Sequence, residues 1–164
     1  MLSGILKGLK LTESIVATAA YAVVSALLMI DIVGREVFGL AILGLQQVAV
    51  YAAIVAGFLG LTLATSDSAH LRPEFMDFVA GRRMERHVAR LGDFISAFFF
   101  FAAAYVAWTF VAISMESGDR APVLYFKIWP LQLVLPFAFA SSAVKHLIFG
   151  LRPDLKVYSD KPTG

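Results

Sequence analysis

The chain has 164 residues, 59% of them hydrophobic and 16% charged, and its mean hydropathy is +0.77. A soluble domain carries about 25% charged residues, so this composition points to a membrane protein, and the length leaves no room for a separate soluble module. There is no cysteine, which excludes disulfides, thiol nucleophiles and thiolate metal sites, and the net charge of +2 follows from loop placement rather than from nucleic-acid binding.

Four charge-free apolar stretches occupy residues 14–30, 37–66, 94–115 and 128–144. A bilayer-crossing helix needs about 20 apolar residues, and in lipid the backbone must satisfy its own hydrogen bonds, so each stretch reads as a helix. Residues 1–12 read as a short interfacial lead-in. The spans are then placed at about 13–34, 46–65, 91–116 and 128–149, the second beginning after the glycine-containing segment 38–44. The expected fold is an all-α integral membrane protein, a single domain over 1–164, with four transmembrane helices.

The basic residues are asymmetric. Eleven (Lys7, Lys10, Arg72, Arg82, Arg83, Arg86, Arg90, Lys145, Arg152, Lys156 and Lys161) fall in the amino-terminal segment, the middle connection and the tail, against three (Arg35, Arg120 and Lys127) in the other two loops. The positive-inside rule puts both termini and the middle connection in the cytoplasm. Lys7 and Lys10 before an apolar run resemble the start of a signal peptide. The run is too long for that, however, and residues 31–35 are not a small-residue cleavage site.

The middle connection, 66–93, is the longest polar region. Pro73 can start a helix. Phe75, Phe78 and Val79 then share one face, with Glu74 and Asp77 opposite, and Gly81 ends it. This predicts a short cytoplasmic amphipathic helix on the inner membrane surface between helices two and three. The basic run 82–90 suits anionic lipid headgroups as well as setting topology. Helix three is followed by a short polar loop, 117–122, and Tyr125, Phe126 and Trp129 mark the interface before helix four. Pro136 removes a backbone donor inside helix four and is expected to bend it. The two halves show no sequence repeat, so an inverted-repeat transporter is not supported.

The central thirds of the spans hold no Asp, Glu, Lys, Arg or His. Charges at that depth usually mark an ion or substrate pathway, so this chain is expected to move no ion through its own core. Asp31 and Arg35 are four apart and can pair, either to settle the end of helix one or to meet a partner or a lipid phosphate. His70, His87 and His146 are read as lying outside the spans, which argues against haem held between helices. His70 clusters in sequence with Asp67, Glu74 and Asp77, but the spacing is not that of a metal site. It suits a hydrogen-bonded corner or a partner contact. No Ser–His–acid set and no phosphate-binding glycine loop is present, so no catalytic, cofactor-binding or metal residue is assigned.

Packing surfaces are more informative. Ser96, Ala103, Ala107 and Ser114 fall nearly on one line of helix three, and Ala53, Gly57, Gly60 and Ala64 on one line of helix two. Small residues let helices approach closely in lipid, so these stripes are expected either to pack within the chain or to dock another subunit. The run Phe98, Phe99, Phe100 and Phe101 surrounds helix three with bulk, and some of these rings must face lipid or a partner. Gln46, Gln47 and Tyr51 open helix two near the outer interface.

The order of these features resembles a known family. An Asp-x-x-x-Arg closes helix one (Asp31, Arg35). A polar pair opens helix two (Gln46, Gln47), followed by Tyr51 and by Phe58-Leu59-Gly60. His70 and Asp77 follow, and an outer loop with Gly118 leads to a last helix with Trp129, Pro130 and Pro136. Over nearly its full length the chain resembles the small membrane subunit of tripartite ATP-independent periplasmic (TRAP) transporters, the DctQ-type family. It departs from many members in having Leu45, Gln46 and Gln47 where they have a tryptophan and acidic residues. The resemblance implies a bacterial inner-membrane scaffold that binds a large membrane subunit. That partner carries a small organic acid inward with sodium, after a periplasmic substrate-binding protein has delivered it. It also implies partner or lipid contacts at Asp31, Arg35, Gln47, His70 and Asp77, and no cofactor. The alternatives are a self-sufficient homo-oligomeric transporter and a membrane anchor subunit of an unrelated complex.

Overall fold

A computed structural model describes residues 2–39, 42–67 and 82–155. They form helices α1 (Leu2–Phe38), α2 (Leu45–Asp67), α3 (Arg82–Ser117), α4 (Trp129–Gln132) and α5 (Val134–Leu151), with a 3-10 turn at Pro153–Leu155. Four segments are long and apolar enough to cross a membrane: Leu6–Phe38, Leu45–Thr65, Arg90–Ser117 and Trp129–Leu151. The chain is thus an all-helical, four-span membrane protein. The predicted amphipathic helix at 73–79 lies outside the described residues.

Local chemistry sets the helix boundaries. The lead-in before Glu13 is no separate segment, because nothing between Leu2 and Glu13 breaks the ladder and α1 runs through it. Its 37 residues span about 55 Å at 1.5 Å per residue, beyond the roughly 30 Å hydrocarbon core. Gly39, at φ 62°, ends it, and its N–H reaches the Arg35 carbonyl at 3.2 Å, a left-handed C-cap. Gly118, at φ 69°, follows α3 in the same way. The last span is broken at Leu133, between α4 and α5. Pro136 explains the position, since its ring crowds the carbonyl four residues back, at Gln132, and offers that carbonyl no donor.

The four spans form an open row. α1 packs on α2, α2 on α5, and α5 on α3. Among the described residues α1 and α3 share no substantial interface, nor do α2 and α3. Burial agrees: half of the last span is buried, against 17% for the first and third. α5 is therefore central, and α1 and α3 are the edges. The seams use small residues, with Ala49 and Ala56 on α2, Ala97 and Ala107 on α3, and Ala138 and Ala143 on α5 all buried, as close approach in lipid requires. Phe139 bridges the row, its ring centroid 5.8 Å from Phe58 of α2 and 6.3 Å from Phe100 of α3. Of the four consecutive phenylalanines only Phe100 turns inward; Phe98, Phe99 and Phe101 are exposed.

Candidate functional site

The polar chemistry of the row gathers at its two ends. One end carries the amino terminus of α1 and the carboxyl terminus of α5, and is called the terminal end. The other carries the α1–α2 and α3–α4 connections, and is called the short-loop end.

At the terminal end, Ser141 and Lys145 are four apart and so lie on one face of α5. That face meets Glu13 of α1 and Thr62 of α2. Lys145 Nζ donates to Glu13 Oε2 at 2.5 Å and to the Thr62 carbonyl at 2.7 Å. Ser141 Oγ donates to Glu13 Oε1. The side chains of Glu13 and Lys145 are wholly buried. Beside them Thr65 Oγ1 donates to Ser142 Oγ at 3.3 Å. On the α3 side, His146 Nδ1 lies 3.2 Å from Asp93 Oδ1, and its ring stacks on Phe100 at 5.5 Å and 10°. Burying two opposite charges is tolerable when they are paired and further hydrogen bonds support them, and here Ser141 and the Thr62 carbonyl supply such bonds. The layer ties α1, α2 and α3 to α5 in one register.

Sequence reading missed this layer. The sequence marks Glu13 as a helix boundary and Lys145 as a topology charge, whereas both are interior. His146, read as outside the spans although the expected span 128–149 takes it in, lies within the helix Trp129–Leu151 and is half-buried. The available signal was the Ser141–Lys145 spacing within an apolar helix, because an ionisable group inside a span nearly always faces the interior and a partner.

At the short-loop end, Arg35 Nε donates to Asp31 Oδ1 at 3.2 Å, and its terminal nitrogen donates to Oδ2, a two-pronged fork. The Asp31 side chain is 10% exposed and that of Arg35 48%, so the guanidinium keeps an outward face. Gln47 is half-buried, and its Oε1, like Gln132 Oε1 and Ser114 Oγ, has no hydrogen-bond partner among the described residues. Of the five contact residues inferred from sequence, the structure joins only Asp31 and Arg35 directly. His70 and Asp77 lie outside the described residues.

On the helix faces, Ala107 and Ser114 are buried in the α3–α5 seam, and Ser96 and Ala103 are half-buried. The α2 stripe is turned outward: Ala53, Gly57 and Ala64 are exposed, and only Gly60 is half-buried, 3.8 Å from the Tyr21 hydroxyl as measured from where its Cβ would lie. An open apolar groove of about 640 Å³ runs between α3 and α5, lined by Phe99, Ala103, Ala107, Phe110, Leu135 and Phe139. No group of three potential metal ligands occurs among the described residues. Among the described residues the arrangement thus offers helix-packing faces and paired charges.

Comparison with curated proteins and with solved structures finds no match to the chain. A family model described as "Tripartite ATP-independent periplasmic transporters, DctQ component" matches residues 24–152, well over half of the chain and including all of α2 to α5, and the chain belongs to that family.

Proposed function

We propose that this chain is the non-transporting small membrane subunit of a TRAP transporter of the inner membrane. In this reading it is a fixed scaffold that binds the large membrane subunit, which carries a small organic acid inward with sodium after a periplasmic binding protein delivers it. The observation that carries the reading is the open row. Its buried charges lie at the two ends and are paired there, its mid-membrane seams are built from small apolar residues, and its outer faces are free for a partner. In this reading both termini lie in the cytoplasm. Removing the buried Lys145 from the basic count leaves ten against three, so the charge bias behind that orientation persists.

The test is purification of tagged chain from its native membrane in mild detergent, with mass spectrometry of what accompanies it. A stoichiometric, much larger polytopic partner is expected, together with no uptake by the reconstituted chain alone. Recovery of the chain by itself as a small oligomer that takes up substrate would replace this reading with a self-sufficient transporter. A partner unrelated to a secreted binding protein would make it an anchor for another complex. Arg35→Ala is expected to weaken assembly without changing substrate preference.

A further inference from the structure

The α3–α4 connection holds two cations against each other. Arg120 and Lys127 form an antiparallel bridge pair, flanked by hydrogen bonds from Ala121 N–H to the Phe126 carbonyl at 2.8 Å and from Ile128 N–H to the Asp119 carbonyl at 3.2 Å. That pattern makes 120 and 127 the narrow, non-hydrogen-bonded type of pair, whose side chains come closest on one face. Like charges directly opposite are unfavourable there. Both side chains are exposed, and neither has an ion-pair or hydrogen-bond partner among the described residues. Glu116 and Asp119 are the nearest acids in sequence. Alternation along the strand sends Asp119 to the opposite face, and Glu116 sits back in the last turn of α3.

The loop that holds the pair is internally hydrogen-bonded and strained. Tyr125 N–H reaches the Ala121 carbonyl at 2.9 Å, and Leu124 N–H the Pro122 carbonyl at 2.6 Å. Val123 and Tyr125 adopt φ 64° and 53°, a region that a β-branched residue such as valine almost never enters. Ala121 is buried, Leu124 lies against Gly44, and the Phe126 ring packs edge-on against Tyr51 at 5.6 Å. The tip nevertheless exposes Val123 and Tyr125. Strain kept by surrounding contacts commonly marks a ligand clamp, and exposed aromatics beside cations at the ends of membrane helices suit the headgroup layer.

We propose that Arg120 and Lys127 clamp the phosphate of an anionic phospholipid, with Tyr125 and Val123 seated among its headgroup and upper chain atoms. The bound anion relieves the repulsion between the two cations. Arg120 supplies the planar fork and Lys127 a point charge. The exposed Tyr125 and Val123 sit beside the two cations at the ends of membrane helices, where headgroups meet upper chain atoms, so the lipid is favoured. The inference requires only that the chain spans a membrane, and stands apart from the subunit reading.

The test is native mass spectrometry of the full chain, with any co-purifying membrane partner, in detergent supplemented with phosphatidylglycerol. One retained lipid per chain is expected. It should be weakened about tenfold or more by Arg120→Gln/Lys127→Gln, kept by Lys127→Arg, and unaffected by Lys7→Gln at the other end. Equal lipid retention in the hairpin variant, or equal loss in the control variant, would overturn the proposal. So would an inorganic phosphate adduct that forms on these residues in place of lipid. Loss of a protein partner with lipid retention unchanged would assign the clamp to that partner instead. Circular dichroism of each variant separates lost binding from lost fold.

Discussion

Glu13 and Lys145 are 132 residues apart, yet they carry the most consequential polar contact in the chain. Their charges oppose, their side chains are wholly buried, and Ser141 and the Thr62 carbonyl add further hydrogen bonds. Removing one partner of such a pair leaves a buried charge uncompensated and costs about 3–5 kcal/mol, whereas removing both is often near neutral. Lys145→Met should therefore lower the unfolding midpoint in detergent sharply, and Glu13→Gln/Lys145→Met should recover most of the loss. An unchanged midpoint in the single variant would mean that the carboxylate reaches water. The contrast with Asp31 and Arg35 shows what a sequence makes visible at this scale. A pair four apart on one helix can be read directly from spacing. A pair joining the first and last helices cannot, because a lysine near a helix end counts as a topology charge whether it faces solvent or another helix.

Elements are legible where single residues interrupt the chain. Gly39 and Gly118 end α1 and α3, and Pro136 breaks the last span at Leu133; each effect is local, so its cause stands in the sequence beside it. The face an element presents is less legible, since a lipid-facing side is as apolar as a buried one. Helix two illustrates this: Ala53, Gly57 and Ala64 are exposed, while Ala49, Ala56, Leu59, Thr62 and Thr65 form its buried side. The start of α2 offers a test. Gly44 has φ 88°, and a Cβ there would lie 2.8 Å from Leu124 Cδ2. Gly44→Ala meets both a left-handed backbone penalty and a clash with the α3–α4 loop, together about 1–3 kcal/mol. Adding Leu124→Ala should relieve the clash but leave the backbone penalty. Thermal unfolding of the two variants separates these contributions. A neutral Gly44→Ala would show that the loop does not rest on the beginning of α2.

At the scale of the whole molecule, the row is what makes the chain suited to a partner. A closed four-helix bundle hides one side of every helix, whereas an open row leaves α1 and α3 each with a single main neighbour. No composition rule distinguishes the two arrangements, because in lipid the apolar side chains that pack helices are also those that meet acyl chains. The absence of native cysteine permits a direct test by paired substitution. Thr65 and Ser142 join α2 to α5 through hydroxyls 3.3 Å apart, so Thr65→Cys/Ser142→Cys should oxidise readily to an intramolecular disulfide. Ala17 of α1 and Ala97 of α3 are both buried and lie at the same depth, each about one helical turn from Glu13 and Asp93 respectively. In a ring of four helices they could come within the roughly 7 Å between Cα atoms that a disulfide allows. In the row, α5 stands between them even at the Glu13–Lys145 layer, at about 8–10 Å per neighbouring pair of axes, and Ala17→Cys/Ala97→Cys should stay reduced within the chain. Rapid cross-linking of that second pair would close the row into a bundle and remove the outer faces on which the proposed partner binding rests; its absence, with efficient cross-linking of the first, would leave those faces available to the proposed large subunit.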